Sequence, residues 1–225
     1  MLCSADLILV HTFDSNWGQG EALTGKTILK PALISILAVL AAAALATQFL
    51  LPGPNARAAE GKAESLVVGS VGNFTLFNRP KPVPTATFRD GAGREMDLSA
   101  FRGKVVLVNL WATWCLPCRL EMGSLDRLQA ELGFKDFAVV AISMDRGGKA
   151  DVERFFKEIQ VKNLDLYIDD TTKSAKAYGA HGLPVSFVIN RDGLEVGRLI
   201  GPAEWDTGEA VALIRYFIQT AATSS

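Results

Sequence analysis

Residues 105–118 read VVLVNLWATWCLPC, and the fold is decided by how this stretch is read. Its first part, VVLVNL at 105–110, is a continuous apolar run. A run without alternation is the pattern of a strand buried on both faces, in a sheet covered by helices on each side. From Leu116 to Leu132 the apolar residues recur at helical spacing, and Gly133 follows. The spacing predicts a helix over 116–132. A strand that passes into a helix through Cys115-Leu116-Pro117-Cys118 sets Cys115 at the helix N-terminus. Free amide N–H groups and the positive end of the dipole lie there. Both stabilise a thiolate, so Cys115 is the expected nucleophile. Pro117 falls in the first turn, where its missing N–H is not needed. The two-residue spacing lets Cys118 reach back and attack a mixed disulfide on Cys115.

Helical phase separates the two thiols. Cys118, Glu121, Leu125, Leu128 and Leu132 fall at steps of three and four. They form one stripe, whose apolar members face the sheet. Cys118 is therefore the more buried thiol and Cys115 the exposed one. Glu121 lies on that stripe one turn beyond Cys118, where desolvation raises a carboxyl pKa. A carboxyl so placed can take or supply the proton of Cys118. The bland alternative is a glutamate at the edge of the stripe, reaching out to water.

The rest of the chain extends the same architecture. Residues 85–89 and 94–98 flank Gly91-Ala92-Gly93 and read as a hairpin. FAVVAIS at 137–143 is a second buried strand. Asp151 is the expected cap of a helix running to about Ile159. A short strand over 166–168 and a short helix over 172–178 come next. Strands over 185–190 and 195–200 form a hairpin around Arg191-Asp192-Gly193, and 203–220 closes the chain as a helix. This order means an α/β fold of three layers, a mixed central sheet with helices on both faces and a hairpin extension on its N-terminal side.

Composition bounds the function. The chain has 225 residues, 23 basic, 24 acidic and three cysteines. The charge is balanced, so nothing suggests nucleic acid, and three cysteines are too few for a disulfide framework. Mean hydropathy of +0.21 is high, and the excess sits at 32–51, twenty uncharged residues with only Ser35, Thr47 and Gln48 polar. That is about 30 Å of helix, the thickness of a bilayer core. Residues 28–51 are expected to be a transmembrane anchor or a signal sequence. The length favours an anchor, while Ala56-Arg57-Ala58 has the form of a cleavage site. Lys26 and Lys30 precede the run and keep the N-terminus inside, which sends the remainder out. Residues 1–27 read as a tail, with a start assigned too early as one explanation, and Cys3 has no assigned role. Residues 52–81, rich in Pro, Gly and small polar side chains, read as a linker, with a short strand over 66–71. The folded domain is expected over 82–222.

Other uses of the cysteine pair are weaker. A zinc knuckle needs a second ligand pair, and only Cys3, His11 and His181 remain. A purely structural disulfide suits an oxidising compartment, but a strand–CxxC–helix context is more typical of exchange. Gly182-Leu183-Pro184-Val185 opens a strand, where a proline is sterically allowed. His181 reads as an exposed loop residue.

With these residues in view, the chain resembles the thioredoxin superfamily, and within it the membrane-anchored TlpA-like branch of bacterial exported thioredoxins. VVLVNLWATWCLPCRLEM (105–122), YGAHGLPVSFVINRDG (178–193) and GPAEW (201–205) carry the resemblance. It implies a thioredoxin-like fold with an N-terminal extension and an insert before the short third strand. Pro184 matches the family's cis-proline, Cys115 its attacking cysteine and Cys118 its resolving one. Glu121 matches an acid that tunes the site. Asn109 stands where cytosolic thioredoxins carry a buried Asp, and it cannot ionise. Gly123 departs from a helix-kinking Pro found in relatives. Trp111, Trp114, Leu116, Pro117 and Leu183 are expected to line the apolar surface that meets a substrate.

The function so implied is a protein-disulfide reductase on the periplasmic side of the bacterial inner membrane, held by residues 28–51. Its substrates would be cysteine pairs of exported proteins, as in cytochrome oxidase or cytochrome c maturation. A membrane thiol-reductant carrier would re-reduce it. The Cys115–Cys118 disulfide would be its only redox centre, with no metal or other cofactor. An oxidase or isomerase is one rival, and Leu116-Pro117 offers no positive group of the kind that makes a strong oxidant. A peroxidase of the peroxiredoxin type would need a Thr three residues before the reactive Cys, and Thr113 is two before. A non-catalytic Cu(I) module using Cys115, Cys118 and His181 is the rival of a different class.

Overall fold

Strand β4 (Val105–Trp111) is buried at all seven positions. Its neighbours are why: it pairs in parallel with β5 (Phe137–Ser143) and antiparallel with β7 (Val185–Ile189). The computed structural model describes residues 62–222. In it eight strands form one mixed sheet in the order β1-β8-β7-β4-β5-β6-β2-β3. Here β1 is Thr75–Pro82, β2 Phe88–Asp90, β3 Glu95–Met96, β6 Tyr167–Ile168 and β8 Leu194–Ile200. Only the pairings β4–β5 and β5–β6 are parallel, and the others are antiparallel. The helices are α1 (Leu116–Leu132), α2 (Lys149–Glu158), α3 (Lys173–Ala177) and α4 (Gly208–Ala222).

The two-residue period of a strand sorts the helices onto faces. Asn109 and Ser186 are register partners across β4 and β7, and Asn109 bonds Glu121 of α1. Trp111, two residues on, therefore shares that face, and it packs on Phe155 and Phe156 of α2. Arg215 of α4 pairs with Glu131 of α1 at 2.7 Å. Phe187 points the other way and meets Tyr178 edge-on at the end of α3. Helices thus cover both faces, as the apolar run in β4 requires.

Several boundaries differ from the sequence reading. Helix α2 begins at Lys149 after Gly148, whose φ of +67° suits a glycine, and Asp151 lies inside the first turn instead of capping it. Helix α4 begins at Gly208, five residues later than expected. Residues 203–207 stay out of the helix because their N–H groups serve α1: Ala203 N–H donates to Glu121 and Trp205 N–H to Ser124. The hairpin around Gly91-Ala92-Gly93 is present as β2–β3, with Phe88 opposite Met96.

The larger correction concerns residues 62–81, expected to be linker. They belong to the folded domain. Ala63, Val71 and Phe74 are buried, and β1 adds an edge strand to β8. Residues 69–71, expected to be strand, form a 3₁₀ turn. Phe74 lies 6.3 Å from the Phe217 ring and is pressed against Gly197, where a Cβ would collide with its ring. The tail at 1–27, the segment at 28–51 and the first part of the linker lie outside the described residues. Among the described residues no helix is long and apolar enough to cross a membrane.

Candidate active site

Cys115 and Cys118 form a disulfide, with Cα atoms 5.3 Å apart. Cys115 is the N-cap residue of α1, with extended backbone, and Leu116 and Pro117 occupy the first helical positions. The Cys118 N–H donates to Cys115 Sγ at 3.3 Å. A donor aimed at that sulfur favours its thiolate once the disulfide opens. Cys115 retains 7% of its surface and Cys118 none. The order of exposure expected from helical phase is the order observed, although both cysteines are largely covered.

The loop before Cys115 is pinned to the sheet. Thr113 N–H and Oγ1–H donate to the two oxygens of Asp145 at 2.9 and 2.5 Å. Ser143 Oγ–H donates to Asp145 Oδ2 at 2.7 Å. Thr113 is therefore engaged away from the thiol. Arg119, one turn into α1, lies over the Phe155 ring at 4.4 Å and pairs with Glu158 at 3.2 Å. A cleft of about 710 Å³ opens on this side, lined by Thr113, Trp114, Arg119, Asp145, Phe155 and Glu158 among others.

The bond between Leu183 and Pro184 is cis. Pro184 is buried and Leu183 partly exposed. The Gly201 N–H donates to Pro184 O at 3.0 Å, which ties this turn to the end of β8. His181 is exposed in the loop before it. Among the described residues no three His, Cys, Asp or Glu side chains gather as a metal site.

Glu121 is 1% exposed, inside the domain and not snorkelling from its edge. Its Oε1 accepts from Asn109 Nδ2 at 2.7 Å, and its Oε2 from the Ala203 N–H at 3.1 Å. Burial pushes its pKa from the ordinary 4.5 up to about 7. The hydrogen bonds from Asn109 and Ala203 and the nearby Trp205 indole oppose this rise, and the charge of Glu204 adds to it. Desolvation wins. The carboxyl thus titrates near neutral pH, where a proton acceptor is most useful.

Trp114, Leu116 and Leu120 are large apolar side chains left 70%, 67% and 72% exposed around Cys115. Pro117 is also exposed. Trp111 is not part of this surface. It is wholly buried, stacked on Phe156 at 5.6 Å, and cannot meet a substrate. This corrects the sequence reading: odd-numbered positions of β4 point into the core under α1 and α2. The reading also passed over Ser186, Arg119, Asp145 and Leu120. For Ser186 a signal existed, since a polar residue inside VSFVI is out of place in a buried strand unless it has a partner.

A helix-capping Cys-x-x-Cys, a cis-proline turn and a buried carboxyl on a mixed sheet define a thiol-disulfide oxidoreductase of thioredoxin-like fold. The chain belongs to the AhpC/TSA family, whose model matches residues 80–194. It is 34% identical over 146 residues to the thiol-disulfide oxidoreductase ResA of Bacillus cereus (strain ZK / E33L), spanning 60% of this chain and 83% of that one. It is 31% identical over 112 residues to the thioredoxin-like protein YneN of Bacillus subtilis, spanning 49% and 65%. Among solved structures, a putative thiol:disulfide interchange protein DsbE from Chlorobium tepidum superposes with a TM-score of 0.55 at 28% identity, covering 62% of this chain and 97% of that one.

Proposed function

We propose that the protein is a reductase for disulfides of exported proteins, working on the periplasmic side of the bacterial inner membrane to which residues 28–51 attach it. The observation that carries this reading is the buried Glu121 one turn from Cys118, with a pKa near neutrality. Such a group removes the proton from the resolving thiol when that thiol must attack.

In the reduced protein the Cys115 thiolate attacks one sulfur of the substrate disulfide. A mixed disulfide forms, and the first substrate sulfur leaves as a thiolate. The Cys118 thiol passes its proton to Glu121, and the resulting thiolate attacks Cys115 Sγ. The Cys115–Cys118 bond forms, the mixed disulfide breaks, and the second substrate sulfur leaves. Two electrons have moved from the protein to the substrate. A membrane thiol-reductant carrier returns them, because the compartment itself is oxidising. Trp114, Leu116, Pro117 and Leu183 supply the apolar contact around Cys115. The substrates are cysteine pairs kept reduced for metal or haem during cytochrome maturation. No further cofactor takes part.

The test is the reduction potential of the Cys115–Cys118 couple, measured against glutathione with trapping of the thiols. A value at or below about −200 mV supports a reductase, whereas one near about −120 mV makes the protein an oxidant. A Cys118→Ser variant should accumulate mixed disulfides through Cys115 on exported proteins. Failure to do so counts against exchange altogether.

A further inference from the structure

We infer that the Asn109 side-chain amide is a two-position switch for Glu121, presenting its N–H to the carboxylate and, turned over, its C=O to the carboxylic acid. Asn109 is wholly buried in β4. Its Nδ2 donates to Glu121 Oε1 at 2.7 Å and to Ser186 Oγ at 2.9 Å. Its Oδ1, equally buried, has no partner. An orphaned buried carbonyl is uncommon and calls for an explanation.

The explanation lies in what surrounds the carboxyl. Oε1 faces Asn109 Nδ2, and Oε2 faces the Ala203 N–H. The Trp205 indole, also near, is a donor only. Cys118 lies one turn earlier on α1, and Glu204 contributes charge from the loop after β8. Apart from Cys118, every polar group that meets a carboxyl oxygen is therefore a donor. That set fits the ionised form. A protonated Glu121 carries an O–H that needs an acceptor, and neither Asn109 Nδ2 nor the Ala203 N–H can be one.

A half-turn of the Asn109 amide exchanges Nδ2 and Oδ1 and moves nothing else. Oδ1 then occupies the place 2.7 Å from Glu121 Oε1 and 2.9 Å from Ser186 Oγ that Nδ2 now holds. It accepts from the Glu121 O–H and from the Ser186 hydroxyl, which changes from acceptor to donor. As placed, the amide leaves one carbonyl oxygen unpaired and uses both N–H donors; turned over, it leaves those two donors unpaired. The donor position is therefore the one held beside the carboxylate, and the O–H of a protonated Glu121, which needs an acceptor, is what favours the other. The consequence for catalysis rests on Glu121 being the proton acceptor proposed above. Once the proton has left Cys118, Asn109 Oδ1 draws the new O–H away from the thiolate, and the proton does not return. Asn109 touches no reacting atom and is a positioning residue.

The switch is tested by NMR on the full oxidised chain, labelled with ¹⁵N and ¹³C, from pH 5 to 9. At high pH the Asn109 amide protons should show through-space contacts to Ser186 and Glu121 side-chain protons. These should be lost at low pH with the midpoint of the Glu121 carboxyl carbon, and Glu121→Gln should abolish the pH dependence. Contacts that persist unchanged while Glu121 titrates overturn the switch. A second variant, Asn109→Leu, reads the same point. An amide fixed as a donor would, on removal, raise the Glu121 midpoint by about one to two pH units. An amide that serves both forms should leave it within about one unit, and a larger rise overturns the proposal. The catalytic reading is read separately, by thiol alkylation of reduced Glu121→Gln across the same pH range. An unchanged profile there removes Glu121 from proton transfer but leaves the coupling to Asn109 to stand or fall on the NMR.

Discussion

Replacing Glu121 by Gln should change how stability depends on pH, by an amount that the burial of this one carboxyl sets. Folding moves its pKa from the ordinary 4.5 to about 7. The folded chain therefore holds the proton more tightly than the unfolded chain between those values. The stabilisation this provides is fully present below pH 4.5 and is lost as pH rises to about 7. At 1.36 kcal/mol per unit, the loss is about 3 kcal/mol. Gln has nearly the same shape and does not titrate. Its NH₂ group is a donor like the O–H of the protonated acid, so what the substitution adds is an offset common to every pH. The stability of Glu121→Gln minus that of the parent should thus rise by about 3 kcal/mol from pH 4.5 to 8, steepest between pH 5 and 7. Urea unfolding of both oxidised proteins at half-unit steps measures it, and groups common to both cancel in the difference. A difference that stays flat to within about 0.5 kcal/mol refutes the account of Glu121 as a desolvated carboxyl.

The two tryptophans flanking the site should behave oppositely. Trp111→Ala empties a wholly buried position and should cost about 3–5 kcal/mol in urea unfolding. Trp114→Ala, on a residue 70% exposed, should leave stability within about 0.5 kcal/mol while raising KM for a protein disulfide more than for a small one. Equal losses of stability would contradict the placement of Trp111 in the core. Asp126→Ala should destabilise by about 2–4 kcal/mol. Its carboxylate accepts from the N–H groups of Lys162, Asn163 and Leu164 and from Asn163 Nδ2, and truncation strands those donors. A cost under about 1 kcal/mol in the same unfolding assay would show that water replaces it.

The parts of this fold that were legible in the sequence are those governed by local periodicity. Helix 116–132 and strand 137–143 have the same bounds in the reading and in the structure. Their apolar spacing is unbroken, and Gly133 stops the helix where the chain must turn back. Strand β1 was illegible. TLFNRPKP carries two prolines and two charges, and its positions are mostly exposed. It is a strand only because it lies at the sheet edge, paired on one side with β8, where a proline lacking an N–H is tolerated.

The chemistry divides in the same way. The dithiol, the order of exposure of Cys115 and Cys118, and a carboxyl on the buried face of α1 could all be read from the residues alone. All three follow from spacing along one helix. What that carboxyl meets depends on how the chain packs. Asn109 comes from β4 and the Ala203 N–H from beyond β8, 12 and 82 residues from Glu121, and Ser186, which Asn109 also bonds, comes from β7. No local pattern encodes their convergence. It comes from strand register, which puts Asn109 opposite Ser186, and from α1 packing on that face of the sheet.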